Sequence, residues 1–272
     1  MKVIVSLTSI PRRFDAALPR AVESLTRQSL PCQIVVNIPR EYRKWGAVSG
    51  DDLPAMPDGV TIHRPSRDYG PATKLLGAIE YARGKAVSHI VTVDDDIVLS
   101  SPHYLRYLIA CASIAKGCAV TVGGIRLDHA PFRNGDGLTY GSKFTFVDSP
   151  AGYLGVVYPA GPLMASRLPF DLSGTLPPGT FNDDDAYFGA VLHQLGVPLL
   201  AVPKFPGKRN REAEGSGPSA VAEQAQADRV ENESAIFSAA VAHGVIKVNR
   251  PQRGLSASER ARLFWTWATA TF

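Results

Sequence analysis

Short apolar runs separated by loops and helical stretches recur along the first 120 residues, and this alternation constrains the fold most. Lys2-Val-Ile-Val-Ser-Leu-Thr8 reads as a buried strand, followed by the loop Ser9-Ile-Pro-Arg-Arg13. A helix is expected from about Ala16 to Gln28, with Leu18, Val22 and Leu25 on one face. Gln33 to Ile38 is a second strand, closed by Pro39, and Val60 to His63 a third, with a Gly-, Asp- and Pro-rich loop at 46–58 between them. Gly70-Pro71 opens a helix running to about Ala82, with Pro where its missing N–H costs nothing. Such alternation predicts a parallel sheet with helices on its faces. Ligands of these sheets gather at strand carboxyl ends, where Thr8, His63 and the acids after His89 would lie.

The second half is less regular. Ala119 to Gly123 reads as a strand, 128–152 as loops and short hairpins, and Val156 to Tyr158 as a strand entering Ala160-Gly161-Pro162. A helix ending at Gly196 follows Phe181-Asn-Asp-Asp-Asp185, then a strand at Pro198 to Val202. Residues 207–228 read as a mobile loop running into a helix near 219–243. With no internal repeat and no true linker, one compact domain is expected over 1–206. Its halves would be 1–120 and 121–206, with 207–272 as a mobile loop and carboxyl-terminal helical segment.

A 272-residue chain, 45% apolar and 20% charged, is ample for a substantial core. A net charge of +4 suits anionic small substrates but gives no argument for nucleic acid. Cys32, Cys111 and Cys118 are odd in number and sit in apolar stretches, so reduced thiols and a cytoplasmic location are expected. No signal peptide is expected, because Met1 leads straight into a strand-like run.

The run His89-Ile-Val-Thr-Val-Asp-Asp-Asp-Ile-Val98 is an apolar strand pattern ending in three consecutive aspartates. Side-by-side carboxylates repel, and burying one unpaired is costly. Strand alternation would project Asp94 and Asp96 to one side and Asp95 to the other. Two hard oxygen ligands on one face suit Mg2+ or Mn2+, which complete their shell with water and substrate phosphates. The competing account is a solvated strand-to-loop junction, where Asp is common.

Asp183, Asp184 and Asp185 precede a helix, where acids cap free N–H groups and favour the dipole. Asp183 is expected to cap. Asp184 and Asp185, if aimed into a cleft, could act as general base toward a hydroxyl. Lys74 lies in the first turn of its helix, where an acid would be usual, so its position invites an anionic ligand. The alternative is a surface lysine with its stem on apolar neighbours. Arg12 and Arg13 could hold a phosphate or nucleotide, and Lys208-Arg-Asn-Arg211 could fold over a diphosphate. The six histidines show no ligand spacing, and neither a G-x-G-x-x-G after a strand nor a G-x-S-x-G elbow occurs. In the last segment, Arg260 and Arg262 precede Leu263, Phe264, Trp265 and Trp267. Such a helix can lie in a membrane interface, or dock on the protein's own core or a second subunit.

Four stretches in order, Ser6 to Arg13, Asp68 to Leu75, Val93 to Ile97 and Asp184 to Gly189, resemble those of bacterial GT-A glycosyltransferases. The resemblance implies an α/β, GT-A-like fold: a mostly parallel Rossmann-type sheet with helices on both faces. It implies a nucleotide-diphosphate sugar donor, a Mn2+ or Mg2+ ion on an Asp-X-Asp motif, and a glycan or lipid-linked acceptor in cell-surface glycan synthesis. By position, Thr8 and Arg12 would line the nucleotide pocket and Asp68 and Lys74 would flank the donor. Asp94 and Asp95 would bind ribose and sugar, Asp94 and Asp96 the metal, and Asp185 or Asp184 would supply the base. Ala160-Gly161-Pro162 followed by Ser166 resembles the acceptor-side strand and turn. A further metal ligand, often a late histidine, has only His243 to match it. The rival readings are a nucleotidyltransferase making sugar nucleotides, which would carry a Gly-rich loop after its first strand, and a non-catalytic sugar- or metal-binding module.

Overall fold

The computed structural model describes residues 2–126, 138–140, 143–167, 183–206, 210–214, 226–246 and 254–270. One eight-stranded sheet organises the chain. Its strands are β1 (Val3–Thr8), β2 (Gln33–Asn37), β3 (Val60–His63), β4 (His89–Thr92), β5 (Ala119–Thr121), β6 (Thr145–Val147), β7 (Val156–Pro159) and β8 (Leu199–Ala201). They lie side by side in the order β6-β8-β5-β7-β4-β1-β2-β3. The strands β3, β2, β1 and β4 are mutually parallel. β7 runs antiparallel to both β4 and β5, β8 is parallel to β5, and β6 is antiparallel to β8. The expected mostly parallel sheet is therefore present, with β7 and β6 reversed.

Helices cover both faces. Among the described residues they are α1 (Ala17–Thr26), α2 (Thr73–Ala82), α3 (Tyr104–Ile114), α4 (Ala160–Ala165), α5 (Asp184–Leu195), α6 (Gln226–Ala242) and α7 (Ala257–Ala268). The period of two in β1 sorts the core: Val3, Val5 and Leu7 pack with Leu18, Val22, Leu105 and Leu263 from α1, α3 and α7. Ile4 turns the other way, to Leu75, Ile79, Tyr187, Phe188 and Ile236 from α2, α5 and α6. Ser6 shares the face of Ile4, and its hydroxyl donates to the Lys74 carbonyl at 2.6 Å. A methyl at Gly77 would overlap the Asn37 side chain, so α2 lies close enough over β2 that only glycine fits there. This close seat sets Lys74 at the carboxyl edge of the sheet.

A short 3-10 turn at Gly70–Ala72 precedes α2, so the Pro71 start is as expected, while the α-helix itself begins at Thr73. All three cysteines are free, with Cys111 and Cys118 buried and Cys32 half-buried. No helix among the described residues is long and apolar enough to cross a membrane.

Candidate active site at the carboxyl edge of the sheet

The registers bring Thr8, Asn37 and His63 level with one another at the carboxyl ends of β1, β2 and β3, while Thr92 ends β4 beside Ser6. His63 faces Tyr81, ring to ring at 5.5 Å. Asp94, Asp95 and Asp96 come next, but not as strand residues. The ladder with β1 ends at Thr92, Asp95 and Asp96 form a turn, and only Ile97–Val98 resumes an extended pairing, with Arg211–Glu212. Strict alternation therefore fails, because no neighbouring strand keeps the backbone pleated past Thr92. Asp95 and Asp96 share one partner and Asp94 takes another, which corrects the expected pairing of Asp94 and Asp96 against Asp95.

The shared partner is Arg13, in the 3-10 turn Pro11–Arg13 just past β1. Its Nη1 lies 2.5 Å from Asp95 Oδ1 and its Nη2 lies 2.8 Å from Asp96 Oδ2. Ser9 Oγ donates to Asp95 Oδ2 at 2.5 Å. Burial pushes the Asp95 carboxyl up to about 6, against the pull of Arg13 and the Ser9 hydroxyl. Burial raises Asp96 as well, again opposed by Arg13. For Arg13, burial opposes the charge, but Asp95 and then Asp96 outweigh it and hold the guanidinium charged.

Lys74 forms the second junction. Its Nζ lies 2.6 Å from Asp94 Oδ1 and 2.9 Å from Asp184 Oδ2. Burial by itself lowers the pKa of this ammonium; Asp184, Asp94 and Asp185 outweigh it and raise the pKa well above the ordinary lysine value. Burial raises Asp184, with Lys74 opposing. Asp185, also raised by burial and next by the neighbouring Asp184, stands well above the usual carboxylate range. Its Oδ2 accepts the Gly152 N–H at 2.9 Å, in the turn that leads into β7. A Cβ at Gly152 would overlap the Asp185 carboxylate. Asp183 caps α5 as expected, accepting from the Ala186 N–H at 3.5 Å.

The two junctions border a cavity of about 530 Å³. Thr8, Ser9, Arg13, Asp68, Lys74, Asp94, Asp95, Asp96 and Asp184 line it, together with Tyr42, Arg43, Lys44 and Trp45. Thr8 donates to the Asn37 carbonyl at 2.9 Å. Asp68 accepts from the Gly70 N–H at 2.7 Å and the Arg43 N–H at 2.9 Å, which fastens the 41–47 hairpin to the start of α2. Tyr42 donates to the Ser9 carbonyl at 2.6 Å and meets Trp45 edge-on at 5.7 Å. Arg12 is exposed and does not line the cavity; its neighbour Arg13 does. Asp185 lies outside the lining, behind Asp184 and beside Gly152. Of the basic segment expected to fold over the site, Lys208 and Arg209 lie outside the described residues. Asn210 accepts from the Ser100 N–H at 3.1 Å and Ala213 N–H donates to Asp96 O at 2.7 Å, so the segment's end is fastened directly behind the acids.

Among the described residues no three His, Cys, Asp or Glu side chains form a metal-binding group, and His243 is exposed at the end of α6. Asp94 and Asp96 nevertheless both line the cavity with 29% and 15% of their side chains exposed, each holding one oxygen on a cation. Two such carboxylates fit a hard divalent ion that draws its remaining ligands from water and phosphate oxygens.

Ala160-Gly161-Pro162 and Ser166 need correction as acceptor-side elements. β7 pairs Val156 with Thr92 and Pro159 with His89, so its carboxyl end, and α4 after it, lie at the opposite edge of the sheet. The antiparallel course of β7 instead brings its entry turn, with Gly152, to the site. Tyr42, Trp45 and Gly152 were not legible as site residues. A short aromatic hairpin and a single glycine carry no spacing signal.

No protein-family model matches the chain, and no curated protein matches it. Among solved structures it is similar to S. aureus TarS, with 11% identity and a TM-score of 0.46, covering 75% of this chain and 35% of that one. S. aureus TarS 1-349 in complex with UDP gives 12% identity and a TM-score of 0.44, covering 76% and 61%. A 4-diphosphocytidyl-2C-methyl-D-erythritol synthase gives 14% and 0.43, covering 75% and 88%. The chain thus spans about a third of the first of these TarS chains, and with these TM-scores below 0.5 it is assigned to neither protein's family.

Proposed function

We propose that the protein is a glycosyltransferase that moves a sugar from a nucleotide-diphosphate sugar to an acceptor hydroxyl with Mn2+ or Mg2+. The observation that carries this is the pair of buried cations, Arg13 and Lys74, each holding two aspartates at the rim of one cavity. A volume of about 530 Å³ is in the range of small-ligand sites. Tyr42 and Trp45 give the cavity wall an aromatic stretch, and the exposed Arg43 and Lys44 offer charge to phosphates. Asp94 and Asp96 would hold the divalent ion, which when bound neutralises charge on the leaving diphosphate.

The chain's own residues carry the rest of the reaction. Arg13 fixes Asp95 and Asp96, and Lys74 fixes Asp94 against Asp184, so the donor meets carboxylates that cannot swing away. Asp184, at the cavity wall, or Asp185, next to it and oriented by the Gly152 N–H, takes the proton from the acceptor hydroxyl as its oxygen bonds to the anomeric carbon. The bond from that carbon to the diphosphate breaks, and the nucleoside diphosphate leaves. A carboxyl group with a raised pKa is a stronger base near neutral pH than an ordinary one.

A thermal-shift panel of nucleoside diphosphates and nucleotide sugars, with and without Mn2+, tests the reading. One nucleotide sugar should stabilise the protein more with Mn2+ than without it, and should be slowly hydrolysed. Stabilisation without any turnover would leave a binding module. Pyrophosphate release from a nucleoside triphosphate and a sugar phosphate would favour a nucleotidyltransferase; the compact, glycine-free turn Pro11–Arg13 speaks against that.

A further inference from the structure

Helix α7 is held to the body of the protein by one side. Leu263 is buried among residues of α1 and α3, and Trp267 donates its indole N–H to the Lys204 carbonyl at 3.0 Å. At about 100° per residue, Ala261, Phe264, Trp265 and Ala268 fall on the opposite side. There Phe264 is 52% and Trp265 66% exposed, and Tyr153 is the one other exposed large hydrophobic among the described residues. Arg260 and Arg262, both exposed, flank this outward stripe on its two sides. Arg260 braces its Nε on the Leu255 carbonyl at 3.1 Å. The helix's acid, Glu259, falls on the inward side, where its carboxylate accepts from the Ser256 N–H at 2.8 Å in a capping box.

From this arrangement we infer that α7 docks the protein on an anionic lipid bilayer, lying in the plane of the interface. Aromatic rings between two arginines, with the countercharge turned inward, match a surface where apolar chains meet negative headgroups. Trp settles at headgroup depth, Phe reaches below it, and the guanidinium groups remain among the phosphates. The inference is independent of the chemistry proposed for the cavity. An acceptor embedded in such a membrane would be brought to the enzyme by the same contact.

Co-sedimentation of the full chain with phosphatidylcholine vesicles, with and without phosphatidylglycerol, tests it. Binding is expected to the anionic vesicles and to fall sharply as the Debye length drops from about 10 Å to about 3 Å between 0.1 M and 1 M salt. The double variant Phe264→Ser/Trp265→Ser should abolish pelleting with no loss of thermal stability, since both side chains are exposed. Arg260→Gln/Arg262→Gln should weaken it by about fivefold per arginine. The inference is overturned if the wild type stays in solution with both vesicle types, or if it and the Phe264/Trp265 variant pellet alike. A concentration-dependent dimer that the same variant abolishes, without lipid binding, would also overturn it and assign the face to a second copy.

Discussion

Lys74 Nζ sits 2.6 Å from Asp94 Oδ1 and 2.9 Å from Asp184 Oδ2, joining the end of β4 to the start of α5. A buried charge so placed is a structural tie as much as a chemical group. Lys74→Met would leave the buried Asp184 and the half-buried Asp94 without their cation, and losing one partner of a buried pair costs about 3–5 kcal/mol. The expected outcome is a large drop in thermal midpoint together with loss of nucleotide binding, read by calorimetry and by titration.

Asp96→Ala removes one of the two half-buried carboxylates at the cavity yet leaves Asp95 to hold Arg13. The variant is expected to fold and to lose the Mn2+-dependent part of nucleoside diphosphate binding. Titration calorimetry with and without Mn2+ measures this, and unchanged affinity in Mn2+ would take Asp96 out of the site.

Asp185→Asn should bind donor nearly as the wild type does and turn over about 100-fold more slowly, the lower end for loss of a general base. The pH profile is the sharper readout. Burial and Asp184 raise the Asp185 pKa, and the base works only once deprotonated. Wild-type turnover should therefore climb with pH through a limb above the ordinary carboxylate range, and that limb should vanish in the asparagine variant. A variant rate near wild type would point to Asp184 instead.

Gly152→Ala tests positioning without touching a titratable group. Its methyl would overlap the Asp185 carboxylate and displace it from the Gly152 N–H. Turnover is expected to fall by about 10-fold or more, the scale of a misplaced catalytic group, with donor affinity unchanged. Equal loss in a background already carrying Asp185→Asn would mean that the glycine acts elsewhere.

What the chain determined locally was legible in it. The period of two in Val3 to Leu7, the helical face of Leu18, Val22 and Leu25, and the proline start before α2 each depend on neighbours a few residues away. Asp183 as a cap and the acids' place at a strand end belong to the same class. Partner choice did not. That Asp95 and Asp96 turn to Arg13 while Asp94 turns to Lys74 depends on where the β1 ladder ends and how closely Gly77 seats α2 on β2. That Gly152, and not Ala160, reaches the site depends on the reversed direction of β7. These are contacts between segments far apart in sequence, decided by strand order and packing distance, and a run of residue types carries neither.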